Sequence, residues 1–124
     1  MDRISFTPRE LDVMSILWRN GSGTVTEVRE TLGAELAYTS VLSVLQTLEE
    51  KGYVRHEPEG RAYRYYSTVG PEEAGDSAMA RIRDAIYQGS AEWMFAQLVS
   101  DRKLKRDELE RMRRLLNERL EEDA

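Results

Sequence analysis

Residues Ala37–Val54 read "AYTSVLSVLQTLEEKGYV". Val41, Val44, Leu45 and Leu48 fall on one stripe at helical spacing, and Gly52 is well placed for a left-handed C-terminal cap. Off the stripe lie Thr39, Ser40, Ser43, Gln46 and Thr47, with Tyr38 at the helix start. A solvated helix face normally carries Glu and Lys, which favour helix and solubility. Here the face is hydroxyls and an amide, groups suited to hydrogen bonding. Leu42 lies on the same polar side, one turn from Thr39 and Gln46, and reads as exposed. The stretch has one cation, Lys51, against two acids, Glu49 and Glu50.

Upstream, "FTPREL" holds three helix-start signals: Thr7 as cap, Pro8 at the first helical position and Glu10 completing a capping box. Phe6 and Leu11 take the staple positions around it. Leu11, Met14, Leu17 and Trp18 continue at helical spacing until "RNGSG" stops the helix. "TVTE" repeats the capping box with Thr24 and Glu27, and Val25, Val28 and Leu32 face one way before Gly33. Downstream the period changes from 3.6 to 2. "YVRHE" and "AYRYYS" read as strands, with "PEGR" as the turn between them.

Three helices and a hairpin in this order predict a winged helix-turn-helix over residues 1–70. Such a helix fits a DNA major groove, where short donors and acceptors meet base edges and a leucine can meet thymine methyls. Small hydroxyls in the first turn let the backbone approach phosphates. Arg61 and Arg64 are the cations expected at the hairpin tip.

Residues 71–124 predict a helical dimerisation domain, giving a mainly α (α+β) chain. "TVGPEEAG" reads as a break. After it Ala78, Ile82, Ala85, Ile86 and Gly89 follow helical spacing. Then come "SAEWMFAQLVS", with Trp93, Met94, Phe95 and Leu98, and a last helix with Leu109, Met112, Leu116 and Leu120 on one side. Three such helices make a poor core alone, and pairing of two copies would cover their stripes. "RKLKR", Arg102–Arg106, reads as a solvated helix start because acids flank it.

Composition narrows the chemistry. The 124 residues carry a net charge of -5, with 40% hydrophobic and 33% charged residues. Residues 1–70 hold 8 bases and 10 acids, and residues 71–124 hold 10 and 13, so neither half is basic. That balance favours a protein partner over a polyanion, and the alternative reading is a winged-helix protein-interaction module without DNA binding. With no cysteine, thiolate metal sites and thiol catalysis are excluded. The one histidine, His56, sits in a predicted strand. No catalytic residues, metal site, cofactor or small-molecule ligand are expected, and the chain does not read as an enzyme. No apolar run approaches a membrane span and "MDRISFTPRE" lacks a signal-peptide core, which together predict a cytoplasmic protein.

"FTPRELDVMSILW", "TVTEVRETL", "AYTSVLSVLQTLEEKGYV" and "EGRAYRYYS" together resemble the penicillinase-repressor family, BlaI/MecI/CopY. "IYQGSAEWMFAQLVSDRKLKRDELERMRRLL" is similar to that family's C-terminal dimerisation helices. The resemblance implies a homodimeric repressor on double-stranded DNA, at an inverted-repeat operator with TACA/TGTA-like half-sites. It puts Thr39, Ser40, Leu42, Ser43 and Thr47 at base or phosphate contacts and Arg61 and Arg64 in the wing. Staphylococcal members carry arginines where this chain has Leu42 and Thr47. In those members a membrane-bound metalloprotease sensor is associated with cleavage at an Asn-Phe bond, and the matching pair here is Gln97–Leu98. The copper-sensing branch uses C-terminal cysteines, which this chain lacks.

Overall fold

A computed structural model describes residues 4–33 and 35–124. The elements run α1 (Pro8–Asn20), β1 (Gly23–Thr24), α2 (Val25–Leu32), α3 (Tyr38–Glu50), β2 (Val54–Glu59), β3 (Ala62–Ser67), α4 (Pro71–Ala85), α5 (Ala91–Val99) and α6 (Arg106–Glu122). They divide into two compact units, one ending at Met79 and one beginning at Ala80, so the division falls inside α4.

In the first unit, α1 and α2 each open on the expected capping box. The Thr7 hydroxyl accepts from the Glu10 amide while Glu10 accepts from the Thr7 amide, and Thr24 and Glu27 repeat the exchange. Val13, Met14, Leu17, Val28, Val41, Leu45 and Leu48 are almost wholly buried and form the core with Tyr65 from β3. The stripe predicted on α3 is therefore the one that packs. Burying each such side chain contributes about 1.5–3 kcal/mol before conformational entropy is counted.

The two residues at the expected staple positions differ in burial, with Phe6 half-buried against the core. Leu11 is exposed, and the Phe6 ring turns to Trp18 and Tyr53, at centroid distances of 6.2 and 5.0 Å. Trp18 in turn donates from Nε1 to Ser67 Oγ and the Val69 carbonyl, tying α1 to the end of β3.

The hairpin β2–β3 gains a third strand that periodicity did not reveal. Gly23 and Thr24 pair antiparallel with Tyr65 and Arg64, giving sheet order β1-β3-β2. Only Gly60 and Arg61 form the turn, since Pro58 and Glu59 already pair with Tyr63 and Ala62. Gly60 at φ +61 supplies the positive dihedral that a two-residue hairpin needs.

The break expected at residues 68–75 is mostly helix. Pro71 opens α4, Glu72 and Glu73 fill its first turn, and Gly75 lies inside it. These are helix-start signals as much as loop signals. Gly89, expected on a helical stripe, instead adopts φ +84 in the turn after α4.

In the second unit, α5 opens on Ser90, whose hydroxyl accepts from the Trp93 amide. Neither α5 nor α6 contains a buried residue. Trp93, Phe95, Leu98, Leu109, Leu116 and Leu120 are all exposed, as are Ile82 and Ile86 on and just after α4; Met112 is half-buried. Among the described residues no helix is long and apolar enough to cross a membrane.

Candidate nucleic-acid interface

α3 is the one helix of the first three that leaves its N-terminus open. Its N-cap is Ala37, no side chain caps it, and its first turn holds no acid. Those amides carry the positive end of the helix dipole and face outward without a carboxylate of their own. The approach to the helix is held from behind, because Arg29 Nε donates to the Leu36 carbonyl at 2.6 Å.

Along the outer face, Thr39, Ser40, Ser43 and Gln46 are exposed, and their side chains have no hydrogen-bond partner among the described residues. Tyr38 is exposed at the helix start. Thr47 differs: it is half-buried and its hydroxyl donates to the Ser43 carbonyl at 3.0 Å, as threonines inside helices commonly do. Leu42 also departs from expectation. It is half-buried and packs against the core, so only part of it remains to meet a base.

The charged residues around this face are engaged. Lys51 Nζ lies 2.9 Å from both oxygens of Glu10, a carboxylate with a side chain only 6% exposed. Burial acts to raise that carboxyl, but the Thr7 amide and the Lys51 ammonium outweigh it, and Glu10 titrates below its ordinary 4.5. The Glu49 carboxylate lies 2.6–2.8 Å from His56 Nδ1, which joins the end of α3 to β2. His56 stacks edge-on against Tyr63 at 4.6 Å, on the wing face shared with buried Tyr65.

Of the two arginines expected at the wing tip, only Arg61 is there, exposed in the turn and without a partner among the described residues. Arg64 sits midway along the wing, opposite Thr24 of β1 and Glu57 of β2. Its guanidinium forks onto Glu59 at 2.9 and 2.8 Å and onto Glu27 at 3.0 and 2.9 Å. These partners raise its pKa further and hold both carboxyls below their usual range. Arg55 pairs with Glu57 at 2.7 Å and covers the Tyr66 ring at 4.5 Å. The carboxylate partners of Lys51 and Arg64 are what the sequence reading missed. The two capping glutamates were visible from local spacing, but their cations come from 41 and 37 residues away.

An open helix N-terminus, a face of free hydroxyls and an adjoining hairpin with one free arginine define a DNA-binding winged helix. Residues 6–118 match the profile of the penicillinase repressor family, and the chain belongs to that family. It is 37% identical over 116 residues to the transcriptional regulator BlaI of Mycobacterium tuberculosis, covering 88% of this chain and 80% of that one. It is 20% identical over 112 residues to the methicillin resistance regulatory protein MecI of Staphylococcus aureus, covering 89% and 91%. Among solved structures, the DNA-binding domain of the repressor BlaI matches with TM-score 0.51 and 26% identity, over 59% of this chain and 93% of that domain. A MarR family protein from Bacillus stearothermophilus matches with TM-score 0.56 over 96% of this chain and 76% of its own; at 18% identity it shows the fold alone. The family is one of transcriptional regulators, not enzymes, and the chain is a DNA-binding winged-helix member of it.

Proposed function

We propose that the chain is a homodimeric repressor that binds an inverted-repeat operator with one α3 helix in each of two successive major grooves. The observation that carries this reading is the α3 face itself. Thr39, Ser40, Ser43 and Gln46 are exposed and, among the described residues, unpartnered beside an uncapped helix N-terminus. Hydroxyls and an amide at these positions can reach base edges and nearby phosphates, with Tyr38, Leu42 and Thr47 at the margins. Arg61 would touch the backbone beside the groove.

Dimerisation is supported by the second unit. Helices with no buried residue and seven large exposed apolar side chains, Leu115 among them, gain their stability from a partner. Two copies would set the α3 helices about 34 Å apart, one turn of DNA. Loss of that pairing would release the operator. Cleavage at Gln97–Leu98 by a membrane-bound metalloprotease sensor is one route, and both residues are exposed near the end of α5. A protease needs an extended segment, so α5 would have to unwind locally first.

The test is Ser43→Glu in the full chain, with duplexes obtained by selection from a randomised pool. The variant is expected to remain a dimer by sedimentation and to lose operator binding. Binding at the level of the unmodified chain would reject α3 as the reading element.

A further inference from the structure

We infer that Arg64 is a positioning residue for the wing, not a phosphate contact, and that it sets where Arg61 meets the DNA backbone. This rests on the DNA-binding reading above. A guanidinium has five N–H donors. In Arg64 all are used: Nε donates to Glu59 Oε1, Nη1 to Ser22 Oγ and Glu27 Oε1, and Nη2 to Glu27 Oε2 and Glu59 Oε2, all at 2.8–3.1 Å. No donor remains for a phosphate oxygen unless one of these bonds is given up. The side chain is only 20% exposed.

The partners explain the purpose. Glu59 is the last residue of β2, one position before the Gly60–Arg61 turn. Glu27 lies in the first turn of α2 and also accepts from the Thr24 amide, so it cannot swing away without uncapping α2. Ser22 lies just before β1. One planar side chain therefore joins the distal end of the wing to the helix that precedes the reading helix. Bidentate forks fix orientation as well as distance. The cluster also sums to one negative charge, Arg64 against Glu27 and Glu59, so it attracts no phosphate. The wing's phosphate attraction is left to Arg61.

Arg64→Lys separates the two roles, because lysine keeps the charge but cannot form the double fork. As a positioning residue, its replacement weakens operator binding about tenfold while the slope of log K against log salt stays unchanged. Arg61→Gln instead lowers the magnitude of that slope by about 2 for the dimer. Affinity within twofold of the unmodified chain for Arg64→Lys, or a slope reduced as in Arg61→Gln, would overturn the inference. A second measurement needs no DNA. In Arg64→Lys the amides of β2 and β3 between Glu57 and Arg64 should exchange hydrogen faster, while α1 exchange is unchanged. Unaltered wing exchange would also overturn it. If the unmodified chain binds no duplex, the DNA-binding reading fails, and the exchange experiment still decides the role of Arg64.

Discussion

Lys51 closes α3 onto the first turn of α1 through Glu10, with 2.9 Å to each carboxylate oxygen. The cation that caps the C-terminal end of α3 thus serves the attachment of that helix to the domain. Lys51→Met would strand a carboxylate whose residue is 4% exposed. Lys51 itself is partly solvated, so the expected loss is at the modest end for a broken buried charge pair, about 1–3 kcal/mol. Urea unfolding at fixed protein concentration would read this as a lowered midpoint with the slope unchanged. Glu10→Gln should cost less, because glutamine keeps the capping bond to Thr7 and leaves Lys51 free to hydrate. An unchanged midpoint in Lys51→Met would show that the pair carries no net stability.

The same carboxylates set the acid limit of the fold. Glu10 is lowered despite the opposing effect of burial, and Glu27 is lowered chiefly by the Arg64 fork and then by the Thr24 amide. A carboxyl depressed in the folded state binds fewer protons there than in the unfolded chain. Its stabilisation is present above the ordinary value of 4.5 and is lost as pH falls through the folded value. Melting temperature should therefore hold steady from neutrality down to about pH 5 and then drop. The drop should be shallower in Glu10→Gln. A melting temperature that rises on acidification would contradict this assignment.

What was legible in the sequence was what local spacing encodes. The boxes at Thr7–Glu10 and Thr24–Glu27, the α3 stripe and the left-handed Gly52 (φ +84) all depend on neighbours within one turn, and all stand as read. What escaped depends on distant partners. β1 is two residues long and exists because β3 offers it an edge. Leu42 points away from the ideal stripe, yet the core still covers part of it. Arg64 looked like a free wing cation because nothing local reveals that Glu27 waits across the domain. On the outer face of α3, Thr39, Ser40, Ser43 and Gln46 were legible as an exposed set because their absence of charge departs from an ordinary helix surface.

The proposed pairing of two copies can be tested without touching the first unit. Trp93 and Leu98 are about half exposed within α5. Glutamate at both positions would place charge in the proposed apolar interface, where it cannot be neutralised without a partner. The double variant Trp93→Glu, Leu98→Glu should sediment as a monomer and lose operator affinity, while the first unit keeps its core. Circular dichroism should report that α1–α3 remain helical. A variant that stays dimeric would move the interface away from α5.

Salt dependence tests how the charges are divided. Lys51 is held by Glu10, Arg64 by Glu27 and Glu59, and Arg55 by Glu57. Arg61 and the open amides of α3 are what remains beside the groove. A dimer built this way, with two free arginines and two open helix N-termini, should neutralise only about 2–4 phosphates, giving a shallow slope of log K against log salt between about -2 and -4. Thr47→Arg adds a cation on the outer half of α3 in each copy. It should tighten binding at low salt and steepen the slope by about 2. A slope near zero for the unmodified chain would remove a duplex as its ligand. One steeper than about -10 would mean that the paired arginines and Lys51 leave their carboxylates on binding.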